Sequence, residues 1–174
     1  MKLNYGSGET KLAGFINIDS IESTKPDILA DLKKGPLPFK DESAELIHML
    51  HALEHIEQGF WPLIFHEFHR LLIEDGELRL AYPEFEVCAR NFIENYKGNR
   101  IFWRRTLYGR QLYPGDYHIV PMVTSEVINE LTQAGFRDIK SGPEPGEPFN
   151  TFLIAHKGQK PMTRADILKK EIFK

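Results

Sequence analysis

Two stretches decide how this chain is read: Leu3-Asn4-Tyr5-Gly6-Ser7-Gly8 and, shortly after it, Gly14-Phe15-Ile16-Asn17-Ile18-Asp19. Each is a short apolar run of strand character that stops on residues suited to a turn, two glycines and a serine after Tyr5 and an aspartate after Ile18. A third run, Pro26-Asp27-Ile28-Leu29-Ala30, stops at Asp31-Leu32. In an open sheet whose strands point one way, ligands bind beyond the carboxyl ends of the strands. Glycine at such an end lets the backbone come close to a ligand, with no Cβ in the way. A carboxylate there accepts hydrogen bonds from the vicinal hydroxyls of a ribose. Asp31 offers a further polar contact and Leu32 an apolar wall for a purine ring. One Gly-Ser-Gly is a weak signal, but glycines and two acids at the ends of successive strands point together to a ligand containing a nucleoside.

Working outward, Glu45–Leu50 reads as a fourth strand. Phe60–Ile73 reads as a helix, with Leu63, Ile64, Phe68, Leu71 and Leu72 at helical spacing. Asp75-Gly76 breaks that helix, and Glu77–Tyr82 is a fifth strand that Pro83 closes. Glu84–Tyr96 is a helix, and residues 98–122 carry no clear period. Thr124–Ala134 is an amphipathic helix with Thr124 as the expected cap, Val127, Ile128 and Leu131 facing inward and Gly135 as its stop. Two late strands follow, Phe136–Lys140 and Asn150–His156, with Gly142–Pro148 read as the loop between them. Nothing there is long enough for a parallel crossover, so this pair is antiparallel. Between Gly8 and Phe15 there is equally little room for a crossover helix. The expected fold class is therefore α/β, a doubly wound, mainly parallel sheet of about seven strands with an antiparallel late strand and the first crossover helix shortened or missing. Residues 1–158 form one domain, and 159–174 form a tail or short helix.

The chain's 174 residues, 41% hydrophobic and 27% charged, suit one globular domain. A net charge of −3 offers no global field for nucleic acid or an acidic membrane. No apolar run approaches the roughly 20 residues of a membrane helix, and Met1-Lys2-Leu3-Asn4 enters a strand at once rather than a signal peptide. The single Cys88 excludes an internal disulfide framework, reads as a small buried apolar residue, and fits a reducing cytoplasm.

At this point a resemblance enters. Leu3-Asn4-Tyr5-Gly6-Ser7-Gly8 looks like the first motif of class I S-adenosylmethionine-dependent methyltransferases, and Gly14-Phe15-Ile16-Asn17-Ile18-Asp19 like their second, in the short form akin to methyltransferase type 11. Leu37-Pro38-Phe39-Lys40-Asp41-Glu42-Ser43 and Leu53-Glu54-His55-Ile56 are similar to the stretch around their fourth strand. Glu67 to Leu78 resembles their next helix, turn and strand, and Thr124 to Phe136 their late helix. The ordered series spans about residues 3–156. It implies a Rossmann-like fold, S-adenosylmethionine as cofactor, and cofactor contacts from Asn4, Gly6, Ser7, Gly8, Asp19, Asp31, Leu32 and His51. Two departures stand out: the first motif lacks a third glycine, with Ser7 where a cysteine or other residue often stands, and the first crossover is short.

Other chemistries find less in the residues. His51-Ala52-Leu53-Glu54-His55 fits the H-x-x-E-H pattern of inverted zinc proteases. On a helix, two histidines four apart share a face and Glu54 would be the base, but no third ligand is marked, so no metal is expected. His66 and His69 read as surface or partner-facing residues of an amphipathic helix. There is no Gly-x-Ser-x-Gly elbow, no phosphate-binding Gly-x4-Gly-Lys-Ser/Thr loop, and residues 6–11 do not complete Gly-x-Gly-x-x-Gly. For methyl transfer, His51 or His118 is the candidate base toward a hydroxyl or amine acceptor, with Glu54 a weaker one that otherwise stands as a structural carboxylate. Tyr82 lines the acceptor pocket or simply packs. Residues 97–118 hold Lys97, Arg100, Arg104, Arg105 and Arg110 against the single acid Asp116, with Tyr117 and His118 at the end. Arg104, Arg105, Tyr82, Tyr117 and His118 are therefore the candidate contacts to a small, anionic or sugar-linked acceptor. The other reading of this segment is a solvated basic face, with its aromatics in the core or in a homodimer contact; nucleic acid is a weaker fit. The rival to an enzyme is a module of the same fold that binds cofactor or a partner without turnover.

Overall fold

The short strands sort their side chains to two faces with the period of two that a pleated backbone imposes. Leu3 and Tyr5, Ile18, Ile47 and Met49, Leu78, Leu80 and Tyr82, and Leu153 and Ala155 are all buried on one face. The computed structural model, which describes residues 1–94, 98–113 and 115–158, gathers them into a single sheet. Its strands are β1 (Lys2–Tyr5), β2 (Ile16–Asp19), β3 (Ile28–Leu29), β4 (Ala44–Leu50), β5 (Leu72–Pro83), β6 (Phe136–Glu144) and β7 (Glu147–Lys157). They lie in the order β3-β2-β1-β4-β5-β7-β6. β3 to β5 in that order are parallel, and β7 pairs antiparallel with both β5 and β6. The expected sheet is thus present, with the antiparallel strand second from one edge.

Two helices cover the apolar face. α1 (Trp61–Leu71) presents Ile64, Phe65, Phe68 and Leu71, and α4 (Thr124–Gln133) presents Val127 and Leu131. Each of these fully buried side chains contributes about 1.5–3 kcal/mol. α1 starts at Trp61 with Pro62 in its first turn, where the missing N–H costs nothing. Its last turn carries Arg70, whose guanidinium holds Glu67 and Asp41 and the carbonyls of Leu37 and Phe39. That network ties the loop before β4 to the helix after it. The opposite face of the sheet is polar, with Asn4 and Asn17 buried and His48 and Arg79 half-buried. No helix lies between β1 and β2 or between β3 and β4; the first connection is a bare loop that lays Phe15 against His48 at 4.7 Å between ring centres.

Five expectations need correcting. α1 does not run to Ile73: Leu72 is already extended, and Asp75-Gly76 sits in a bulge of β5, between the pairs Ala44–Leu72 and Leu46–Glu77. Asp75 takes a φ of 59° there. The span 98–122 contains a helix, α3 (Arg100–Tyr108), capped by the Asn99 side chain, which accepts the Phe102 N–H at 3.1 Å. α3 buries only Trp103, so it shows no apolar period to read. Thr124 does not cap α4; the N-cap is Val123, and the Thr124 hydroxyl instead donates to the Glu84 carboxylate. Residues 142–148 are mostly strand, because β6 and β7 form one long hairpin reversing at Pro145-Gly146, with Gly146 at φ 88°. His69 also departs from its surface reading: it is buried, donates Nε2–H to the Gly158 carbonyl at 3.0 Å and sets its ring on Phe136. The remaining helix, α2, spans Phe85–Ile93. The expected tail at 159–174, the expected helix end at Tyr96 and Lys97 lie outside the described residues. No helix of the described residues is long and apolar enough to cross a membrane.

Candidate functional site

The carboxyl ends of β1, β2, β3 and β4 lie side by side, because these strands are parallel neighbours. At the end of β1, Gly6 turns with φ 69°, and a Cβ on it would stand 2.4 Å from the Ala52 Cβ. Its glycine is therefore required by the approach of the loop after β4. Gly8 also has positive φ, at 52°, but nothing lies within 4 Å of where its Cβ would be. Gly8 is the glycine that faces open space. Ser7 is buried, donates its N–H to the Ile18 carbonyl, and accepts from Lys11 Nζ at 3.0 Å.

Asp19 ends β2 with a nearly buried carboxylate. One oxygen accepts the Gly8 N–H at 2.7 Å and the other the Ile21 N–H at 2.9 Å. Asp31 folds over its own turn, accepting the Lys33 N–H at 3.0 Å. Leu32 is buried and donates its N–H to the Tyr5 hydroxyl at 3.1 Å. Burial pushes the Tyr5 hydroxyl up to about 12, so it remains a neutral phenol in that bond. Gly8, Asp19, Asp31 and Leu32 thus come together as the strand ends implied. Asn4 does not join them through its side chain, which donates to Asn17 Oδ1 at 3.0 Å and to the Thr10 carbonyl. It braces the helix-free connection between β1 and β2.

Beyond β4 the chain turns at His51, a non-glycine residue at φ 53° whose N–H is held by the Ala81 carbonyl. The exposed imidazole stands between two carboxylates: Nε2 is 3.1 Å from Glu144 Oε2, and Nδ1 is 3.7 Å from Glu54 Oε1. Burial works against its charged form, but Glu54 and Glu144 outweigh it and raise the His51 pKa above the ordinary histidine value. Glu144, on the hairpin read as a loop, is a site residue that the sequence reading missed. Its place follows from the β6–β7 pairing, and no local pattern announced it.

Residues 51–55 are not an α-helix; Leu53–His55 form one 3-10 turn. His51 and His55 therefore do not share a helix face, and the arrangement of the inverted proteases is not built. His55 instead meets His118, their ring centres 4.8 Å apart and near perpendicular. His55 donates Nδ1–H to the Tyr117 carbonyl and His118 donates Nδ1–H to the Thr106 carbonyl, both at 2.9 Å. Burial lowers the His118 pKa, which keeps it neutral. Glu54, 1% exposed, lies beside these rings, and its carbonyl accepts the Ile119 N–H. His51 and His118, far apart in sequence, are thus brought to the two sides of one carboxylate.

The remaining acceptor candidates divide. Tyr82 is wholly buried, its hydroxyl raised in pKa by burial and 3.4 Å from Thr124 Oγ1, so it packs and lines no open pocket. Tyr117 reaches the site by its carbonyl, while its ring is exposed. Arg104 and Arg105 are exposed on α3, whose Trp103 is anchored against Phe149. Arg110 pairs with the buried Asp116, which removes one charge from the basic excess. Cys88 is buried as expected, its thiol pushed up to about 12 by burial.

No protein-family model and no curated protein matches the chain. Solved structures do share its fold. A SAM-dependent methyltransferase from Archaeoglobus fulgidus superposes with a TM-score of 0.62 at 15% identity, over 90% of this chain and 85% of that one. One from Thermotoga maritima gives 0.60 at 16% identity, over 90% and 81%. One from Methanosarcina mazei gives 0.59 at 16% identity, over 91% and 92%. At these identities the likeness is one of fold: the seven-stranded mixed sheet is the Rossmann-like sheet of these methyltransferases.

Proposed function

We propose that this chain is an S-adenosylmethionine-dependent methyltransferase acting on a small-molecule acceptor. The observation that carries the reading is the convergence of Gly8, Asp19, Asp31-Leu32 and His51 at the carboxyl ends of four adjacent parallel strands, on a fold shared with such enzymes. The residues fit the cofactor. Each Asp19 oxygen accepts one backbone N–H and keeps a lone pair for a ribose hydroxyl. The turn of Gly6 and Gly8 would face the methionine part, with the approach open at Gly8, and Asp31 and Leu32 would face the adenine.

When bound, S-adenosylmethionine supplies a sulfonium methyl that is already electrophilic, so the protein positions, desolvates and manages protons. His51 is suited to the last task. With Nε2 donating to Glu144, its Nδ1 keeps the lone pair and is the atom that takes a proton from a hydroxyl or amine acceptor. Glu54 and Glu144 stabilise the imidazolium that results. Arg104 and Arg105 on α3 would draw an anionic or sugar-linked acceptor toward this end of the sheet. The reducing cytoplasm is the compartment that suits the lone, buried thiol of Cys88.

Titration with S-adenosylmethionine and S-adenosylhomocysteine, read by thermal shift and calorimetry and followed by turnover with a panel of hydroxyl, amine and carboxylate acceptors, tests the proposal. Binding with turnover supports it. Binding without turnover on any acceptor selects the non-catalytic module, and no binding removes the cofactor from the reading altogether.

A further inference from the structure

Glu54, His55 and His118 form a cluster of which the proposed methyl transfer uses only Glu54, as a partner of His51. One potential ligand atom from each lies within 4.8 Å of the others. The two imidazoles are fixed in the way that metal-binding histidines are fixed. A carbonyl oxygen can only accept, so the contacts of His55 with Tyr117 and of His118 with Thr106 place a hydrogen on each Nδ1. Each neutral ring then keeps its lone pair on Nε2, and a backbone carbonyl behind Nδ1 sets both tautomer and orientation. Between these rings and His51 stands a carboxylate that is 1% exposed, and its Oε2 has no hydrogen-bond partner. A buried, unpartnered carboxylate oxygen is costly unless a cation meets it.

The surrounding backbone holds the three side chains at fixed distances. Glu54 and His55 share one 3-10 turn, and the Ile119 N–H donates to the Glu54 carbonyl at 2.9 Å. This bond sews the segment carrying His118 to the segment carrying Glu54. Gly109 and Asp116 approach closely: a Cβ on Gly109 would stand 2.0 Å from the Asp116 carbonyl oxygen. Glu54 and His118 also line one wall of a small cavity, completed by Pro83, Cys88, Thr106 and Met122.

We propose that Glu54, His55 and His118 bind a divalent transition-metal ion of the zinc type. Two imidazoles and one carboxylate are a donor set for zinc with a coordination position left open, as opposed to the four protein ligands of a closed structural site. Bond lengths of about 2.0–2.2 Å require the three side chains to draw in by about 1 Å each, a rotamer-scale adjustment. The open position would take water, or an oxygen or nitrogen of a bound small molecule, polarising it. The H-x-x-E-H sequence contributes its last two residues, and the third ligand comes from 63 residues further on (His118 after His55), where no spacing rule would look for it. The site stands on its own donor atoms, whether or not the chain transfers methyl groups.

The test uses the full chain, stripped with a chelator and titrated by calorimetry with zinc chloride, and in parallel with cobalt(II) followed by visible absorption. One equivalent of zinc per chain and the intense absorption of four-coordinate cobalt are expected. His118→Ala and Glu54→Gln should each weaken zinc binding at least about tenfold, the lower bound for losing even a group that supports a ligand. His51→Ala should retain the stoichiometry. Circular dichroism of each metal-free variant separates a lost ligand from a lost fold. Should Glu54→Gln fail to fold, His118→Ala, on a partly exposed loop, carries the test. Binding well below one equivalent by the wild-type chain, undiminished binding by folded His118→Ala, or abolition by His51→Ala would each overturn the proposal.

Discussion

Asp19 and Gly6 show how much a single residue at a strand end is asked to do. The Asp19 carboxylate joins the β1 and β2 loops through Gly8 and Ile21 and, on the proposed function, also holds the ribose. Asp19→Ala should therefore weaken S-adenosylhomocysteine binding by about 1.5–3 kcal/mol, the range for a hydrogen bond to a charged group. Calorimetry on a variant with an unaltered far-ultraviolet spectrum measures it; an unchanged affinity would take Asp19 out of the site. Gly6 makes a different demand. Its positive φ and the Ala52 Cβ beside it leave no room for a side chain. Gly6→Ala should cost about 1–3 kcal/mol of stability through strain and overpacking, whereas Gly8→Ala, in open space, should cost less and act on cofactor affinity. Chemical denaturation of the two variants separates these effects; equal destabilisation would mean that the contact with Ala52 is not what selects glycine at position 6.

Elements differ in how openly the sequence displays them. α1 and α4 were legible because each buries an apolar stripe against the sheet, and burial on one side is what produces a helical period. α3 was not, since its arginines face solvent and only Trp103 is buried, leaving one apolar anchor and no stripe. The β6–β7 hairpin was shortened in the reading because Gly142, Pro143 and Pro148 look like loop residues, yet Pro143 lies on an edge strand, where a missing N–H is tolerated. That hairpin carries Glu144 to His51, so the misjudged element hid a site residue. α3 also bears the remaining expectation for the acceptor. With Trp103 anchored on Phe149, replacing both Arg104 and Arg105 by alanine should leave cofactor affinity intact and lower kcat/KM for an anionic acceptor about tenfold, or about 1.4 kcal/mol. Steady-state kinetics with one anionic and one neutral acceptor reads it, and equal rates for the double variant and the parent on both would end the acceptor role of α3.

On the scale of the whole molecule, two histidines away from the site couple the fold to pH. Burial, and then the charge of Arg79, lower the pKa of His48, and both its ring nitrogens are buried without a partner. Burial likewise lowers that of His69. Folding therefore favours their neutral forms, and below the ordinary value of about 6.5 the unfolded chain binds more protons than the folded one. Their contribution is present in full above that value and is lost as pH falls below it. Between about pH 7 and pH 5 these two should lower the melting temperature, against the opposite contribution of His51, whose raised pKa adds stability on acidification, and His48→Leu should lessen the fall relative to the parent. An unchanged pH response of the melting temperature in folded His48→Leu would contradict the assignment.

What the sequence determined by itself is local in origin. Strand ends bearing Gly6-Ser7-Gly8, Asp19 and Asp31-Leu32, the apolar stripes of α1 and α4, the missing first crossover helix and the antiparallel late pair all follow from neighbours within a few residues, where steric and periodic rules act directly. Only the tertiary structure decided which distant groups meet. It placed Glu144 on His51, turned Asn4 toward Asn17, buried Tyr82 and His69, and brought His118 to Glu54 and His55. Those encounters depend on strand order and on the closure of long loops. These arise from the summed burial of one sheet face, so no short stretch of residues encodes them.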